Sequence, residues 1–232
     1  MEIITICANK GGTGKTTTAL NLGAILSGRG KKVLCIDADK QCNLSALSGI
    51  SNDALSLYSH LSEGQPLKDC ISKSKIGFDI IPGSDKLSED IDLSALKGGL
   101  KALKYQYVII DTSASVGALT KAIIEISDRL IIPVRLDILS FQGLTRLYPD
   151  IANKRTEILI VCSSLKQKIS QFCYAQLTDF CKSADIRIYD TIIRQGCSVP
   201  ESQIVGQALI EYAPKSNPAI DYNSLCDEIL SK

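Results

Sequence analysis

The stretch Ile3-Ile4-Thr5-Ile6-Cys7-Ala8-Asn9-Lys10-Gly11-Gly12-Thr13-Gly14-Lys15-Thr16-Thr17 decides the fold. Ile3–Ala8 reads as a buried strand, the next six residues as a glycine-rich loop, and a helix begins near Thr16. Gly11, Gly12 and Gly14 let the backbone curl so that its N–H groups point inward around a phosphate. The helix N-terminus that follows adds further donors and a favourable dipole. Lys15 supplies positive charge for the β and γ phosphates of a nucleotide, and the Thr16 hydroxyl suits Mg²⁺. Thr13 and Thr17 complete the loop. The pattern departs from G-x-x-x-x-G-K-S/T at one place: Asn9 stands where the first glycine is expected, and a second lysine, Lys10, stands beside it.

Two further strands end in carboxylates. Val33–Asp37 runs into Asp37-Ala38-Asp39, and Tyr107–Asp111 ends in Asp111. Carboxylates at the carboxyl ends of parallel strands sit on the ligand-binding edge of the sheet. Asp111 has the form of a residue that holds Mg²⁺ directly or through water. Strand candidates Phe78–Pro82, Leu130–Pro133, Ile158–Cys162 and Ile186–Tyr189 alternate with helix candidates Thr16–Ser27, Leu93–Leu103, Leu119–Ile126, Ser140–Asn153, Ser170–Ser183 and Asn217–Leu230. That alternation implies an α/β fold: a mostly parallel central sheet flanked by helices on both faces. Ser45 to Ser74 mixes polar and apolar residues as short surface helices do. No repeat, low-complexity segment or composition break interrupts the chain, so residues 1–232 are expected to form a single P-loop NTPase domain.

Composition narrows the function. Twenty-six basic against 25 acidic residues leave a formal charge of +1, which excludes an overall polycation and confines any nucleic-acid contact to a local patch. Nine cysteines include no C-x-x-C pair, and His60, the single histidine, cannot complete a Cys/His zinc set. Cys7, Cys35 and Cys162 fall in strand-like apolar runs and are expected as buried, reduced core residues. No leader pattern opens the chain. No apolar run approaches the roughly 20 residues needed to span a bilayer.

The run from Lys10 to Thr17 resembles the deviant Walker A box of the ParA/MinD superfamily. Asp37-Ala38-Asp39-Lys40-Gln41-Cys42-Asn43 is similar to its switch I, with Lys40 where a proline is usual, and Asp111–Gly117 resembles its switch II without two prolines. Asp128–Val134, Ser140–Leu144, Asp190–Arg194 and Gly206–Ser216 extend the resemblance to chromosomal and small plasmid ParA proteins over nearly the whole chain. The resemblance implies ATP/ADP and Mg²⁺ as cofactors, with nucleotide contacts from Lys10, Gly11, Gly12, Thr13, Gly14, Lys15, Thr16 and Thr17. It implies that Lys10 reaches the phosphates of a partner subunit in an ATP-bound homodimer. Asp39 would orient the attacking water and join Thr16 and Asp111 around the metal, and the adenine-contacting loop would fall at Ile193 and Arg194. Lys10, Lys15 and Asp39 thus carry the expected hydrolysis.

The same resemblance implies non-specific DNA binding by the ATP dimer and stimulation by a centromere-binding, ParB-like partner. The setting would be the bacterial cytoplasm, nucleoid-associated when ATP is bound. Basic candidates for DNA are Lys154, Arg155, Lys166, Lys168, Lys182, Arg187, Arg194 and Lys215, while Ser198 aligns where relatives often carry arginine. The helix-turn-helix extension of larger plasmid relatives is not expected. An ATP switch that positions a protein cargo, or a MinD-like spatial regulator, is the alternative. A MinD-like membrane helix is basic and amphipathic, whereas Leu225-Cys226-Asp227-Glu228-Ile229-Leu230 is acidic, so no membrane contact is expected. The segment directly after Asp111, Thr112–Gly117, holds no cysteine to bridge an iron–sulfur cluster, and Tyr212 and Tyr222 are isolated rather than clustered as in related tyrosine kinases.

Overall fold

Val108, Ile109 and Ile110 are fully buried because strand β5 (Tyr107–Thr112) lies inside the sheet, with β2 (Val33–Ala38) on one side and β1 (Glu2–Ile6) on the other. The computed structural model describes residues 1–88, 93–163 and 165–231. Five further strands complete the sheet: β3 (Ser72–Lys73), β4 (Asp79–Ile81), β6 (Arg129–Val134), β7 (Thr156–Val161) and β8 (Arg187–Ile193). Their order is β3-β4-β2-β5-β1-β6-β7-β8, and every pairing is parallel except β3 with β4. Near-continuous apolar runs such as Val33–Ile36 follow from this position, since a parallel strand covered on both faces has no side for water.

Helices cover both faces. On one lie α1 (Lys15–Gly28), α2 (Asn43–Leu47), α9 (Leu209–Tyr212) and α10 (Asn217–Leu230), packed through Leu22, Ile25, Leu44, Leu209, Tyr222 and Leu225. On the other lie α3 (Leu57–Glu63), α4 (Ser94–Ala102) and α5 (Ala118–Ile126), then α6 (Ile138–Ile151) and α7 (Lys168–Ser183). The remaining helix, α8 (Ser198–Val205), follows β8. Helix α1 is covered on nearly every side, so it carries small and apolar residues all round instead of one stripe. Its Gly23 presses against the sheet: a Cβ there would lie 2.8 Å from Cys35 Sγ and 2.9 Å from Phe78. Each fully buried Leu or Ile in these layers contributes about 1.5–3 kcal/mol.

Three expectations change. Residues 45–74 are not only surface: Leu57, Leu67 and Cys70 are buried, because α3 and a 3-10 turn (Leu67–Cys70) close the sheet face beside β4. Strand β8 runs on to Ile193 although Asp190 and Thr191 are polar. Its edge is bound by Glu228 of α10, which accepts the Asp190 and Thr191 N–H groups at 3.2 and 2.8 Å. Cys7 and Cys35 are buried as expected, but Cys162 lies just past β7, half-buried, in the left-handed region at φ 49°. The chain leaves the sheet there, and the Cys162 N–H still donates to Ile193 O at 2.8 Å. All nine cysteines are free.

Candidate functional site

Parallel register brings the sequence-predicted groups to one edge. Ile6 pairs with Asp111, and Asp37 pairs with Asp111 from the other side, so the loop after β1 and both strand-end carboxylates open onto the same edge. Within the loop, Gly12 and Gly14 occupy left-handed conformations (φ 70° and 81°), which a side chain would strain; Gly11 does not. Thr13 is buried and Lys15 is 7% exposed at the first position of α1. The Lys15 ammonium donates to Lys10 O at 3.3 Å, so it lies over the hollow of its own loop. Burial pushes its pKa below the usual lysine range, while Asp111 and Asp39 pull it back.

Asp111 is fully buried, and neither carboxylate oxygen has a well-formed hydrogen bond among the described residues. Burial, reinforced by Asp37, raises its pKa to about 8, against the pull of the nearby Thr16 hydroxyl and Lys15 ammonium. A buried, unpaired carboxylate next to a lysine and a hydroxyl fits a cation. Asp37 is equally buried but fully occupied. Ser45 donates to it through N–H at 2.8 Å and hydroxyl at 2.7 Å, and the Asp39 N–H donates at 3.2 Å. Asp37 therefore fixes the start of α2, and the Ser45 hydroxyl in turn accepts the Gly83 N–H at 2.9 Å. Asp39 is half-buried and closes a small turn by accepting the Gln41 N–H at 3.0 Å. The hydroxyls of Ser113 and Ser115, 3.1 Å apart, knit the turn after Asp111 where relatives' prolines are absent.

Lys10 is held within its own chain. Its ammonium donates to both oxygens of Asp137 at 2.9 and 3.0 Å and to Ser140 Oγ at 3.1 Å. Asp137 is also the N-cap of α6, accepting the Ser140 N–H at 2.8 Å. Burial opposes the charged form of Asp137, but the bonds from Lys10 and Ser140 prevail and hold its pKa below the ordinary carboxylate range. Gly143 lets α6 approach the loop, since a Cβ there would meet Asn9 O at 2.9 Å. Asp137 was not singled out in the sequence, and Ser140 and Gly143 entered only within the Ser140–Leu144 helix start, with no role at the loop; the i, i+3 spacing of an N-cap was the available signal for Asp137 with Ser140.

Beside Asp137 a cavity of about 980 Å³ opens between the ends of β6, β7 and β8, lined in part by Arg135, Ser163, Ile192 and Arg194. Its size lies within the range of small-molecule sites. Ile193 does not line it: alternation along β8 turns that side chain into the core with Tyr222 and Leu225. Arg194 does line it, and its guanidinium is clamped by Asp221 of α10 at 2.6 to 3.1 Å. The Thr17 hydroxyl accepts from Gln203 of α8 at 3.0 Å, tying the loop's helix to that element.

The basic candidates scatter. Lys154 pairs with Glu125, Arg155 with Glu2 and Glu157, and Arg187 with Glu157 and Glu228, whereas Lys166, Lys168, Lys182 and Lys215 are exposed. Helix α10 packs its apolar face on the core, and no described helix is long and apolar enough to cross a membrane.

A family model described as an AAA domain matches residues 1–163. Chromosome partitioning protein ParA of Caulobacter vibrioides is 30% identical over 253 residues, covering 100% of this chain and 95% of that protein. Sporulation initiation inhibitor protein Soj of Bacillus subtilis is 30% identical over 247 residues, covering 98% of each. Among solved structures, the cell division ATPase MinD of Pyrococcus furiosus superposes with a TM-score of 0.83 at 21% identity, covering 99% of this chain and 98% of that one. Phosphate loop, strand-end carboxylates, sheet order and full-length relatives converge: the chain belongs to the ParA/Soj partition ATPases of the ParA/MinD superfamily.

Proposed function

We propose that this ATPase works as a nucleotide-driven dimeric switch in plasmid or chromosome partition, and that the orphaned Asp111 carboxylate beside the phosphate loop carries that reading. ATP enters with its phosphates in the loop, where the inward N–H groups and Lys15 bind the β and γ oxygens. Thr16 and Asp111, with Asp39 at their side, would hold Mg²⁺, which when bound neutralises charge on those phosphates. Asp39 orients the attacking water and works by position rather than covalent chemistry. The adenine lies in the cavity between β6 and β8, against Arg194 and the backbone at Ile193. Support for ATP comes also from fold neighbours: McdA of Cyanothece has been solved as an ATP complex and MinD of Pyrococcus horikoshii with Mg-ADP.

Lys10 exchanges its hold on Asp137 and Ser140 for the phosphates of a second copy, so the closed dimer forms with ATP and reopens after hydrolysis. The dimer binds DNA non-specifically, and a centromere-binding partner accelerates hydrolysis and release in the cytoplasm. The test is co-sedimentation of the Asp39→Ala variant with a non-specific duplex, in ADP or Mg-ATP, at two salt concentrations. Binding that needs ATP and weakens with salt is the expected result. An ATP dimer that ignores DNA would overturn the partition reading and leave an ATP switch for a protein cargo.

A further inference from the structure

Four lysines meet at the opposite edge of the sheet, far from any group used above. Lys31 and Lys32 follow α1, Lys73 belongs to β3 and Lys104 follows α4; together they line a cavity of about 510 Å³ with Tyr105 and Asp79. No ion pair engages Lys31, Lys32 or Lys104 among the described residues, and Lys32 and Lys104 are exposed. Asp79, the one acid in the lining, has both oxygens occupied. Lys73 donates to Oδ1 at 2.7 Å and the Tyr105 hydroxyl to Oδ2 at 2.6 Å. The walls are pinned as well: Lys32 N–H donates to Gln106 Oε1 at 3.0 Å, Lys32 O accepts the Tyr107 N–H at 3.2 Å, and Ser27 Oγ donates to Gly77 O at 2.9 Å.

A concave, pre-formed pocket with four lysines against one carboxylate carries net positive charge and concentrates anions. We propose that this pocket is a second anion site, distinct from the nucleotide site, that takes a compact polyphosphorylated ligand. Lysine suits phosphate as a strongly hydrated point charge, and several lysines around one hollow suit several phosphates on one small molecule. The geometry favours such a ligand over a duplex because the lysines converge from three separate elements around a concavity rather than line up along one ridge. Lys97 and Lys101, exposed on α4 one turn apart, extend the positive field toward Lys104 and steer anions in.

The test uses inorganic tripolyphosphate as probe and isothermal titration as readout, on the full chain carrying Lys15→Ala to silence the phosphate loop. The expected result is saturable one-to-one binding that weakens at least about tenfold when Lys31→Ala and Lys104→Ala are added. No saturable binding in Lys15→Ala, or binding that ignores the added pair, overturns the proposal. A short duplex that binds more tightly, depends on Lys97 and Lys101 and is not displaced by tripolyphosphate also overturns it, and makes the face a nucleic-acid contact. Because the phosphate loop is silenced throughout, failure here leaves the ATP-switch reading untouched. Lys31→Ala and Lys104→Ala replace side chains outside the buried core, so they leave the fold of the Lys15→Ala parent intact.

Discussion

Asp37 and Asp111 sit side by side in register on neighbouring strands, both fully buried, both following an apolar run, yet their surroundings are opposite. Asp37 accepts three hydrogen bonds from Ser45 and Asp39 and pins helix α2. Asp111 accepts none of good geometry and faces Lys15 and Thr16. Burying a carboxylate is costly unless its oxygens are satisfied. A satisfied one is architecture; an unsatisfied one, at the edge where ligands bind, is poised for something absent from the polypeptide itself. The pair shows that the position of an acid at a strand end does not reveal its role, whereas its hydrogen-bond count does.

The contrast is broken or sharpened most strongly at Asp111. Asp111→Asn should lower Mg-dependent ATP hydrolysis by at least about 100-fold. Without nucleotide the same variant should melt no lower than the parent, since Asp111 accepts no well-formed hydrogen bond that the amide would lose. Calorimetry and a phosphate-release assay on one preparation check both. Asp37→Ala should behave in the reverse manner: about 2–4 kcal/mol of stability lost in urea unfolding, because three donors lose their acceptor at once. Equal melting behaviour of the two variants would erase the distinction.

Smaller effects lie around these two. Gly143→Ala puts a Cβ 2.9 Å from Asn9 O, a backbone atom that cannot swing aside. It should cost about 1–3 kcal/mol and slow hydrolysis by displacing the loop from α6. Ser45→Ala removes one of the donors to Asp37 and leaves the backbone N–H. A loss of about 1–2 kcal/mol, with hydrolysis per folded molecule nearly unchanged, is expected.

Much of the central sheet and phosphate loop was legible in the sequence, because both rest on local patterns. Buried parallel strands are continuous apolar runs, and a strand–glycine loop–helix sequence admits few geometries. The sequence marked Asp111 as a metal candidate and gave Asp37 no role, but the reason Asp37 is occupied was hidden, since Ser45 lies eight residues beyond it and reaches it only through the fold. Long-range partners were invisible for the same reason: Asp137 and Ser140 meet Lys10 across more than 125 residues, and Asp221 reaches Arg194 from α10. At Ile193 the strand's alternation, invisible without the register, turns the side chain into the core and sends its neighbour, Ile192, to the cavity. The lysine pocket escaped attention because its members come from three distant segments, none basic enough alone to stand out.

The proposed switch requires that Lys10 complete the nucleotide site of a second copy. Sedimentation velocity of the Asp39→Ala variant, with Lys10 intact and with Lys10→Ala added, in Mg-ATP and in Mg-ADP, tests that directly. The prediction is a dimer in Mg-ATP when Lys10 is present, and a monomer in Mg-ADP or when Lys10 is replaced. A monomer under all four conditions, or an ATP dimer that persists without Lys10, would contradict it.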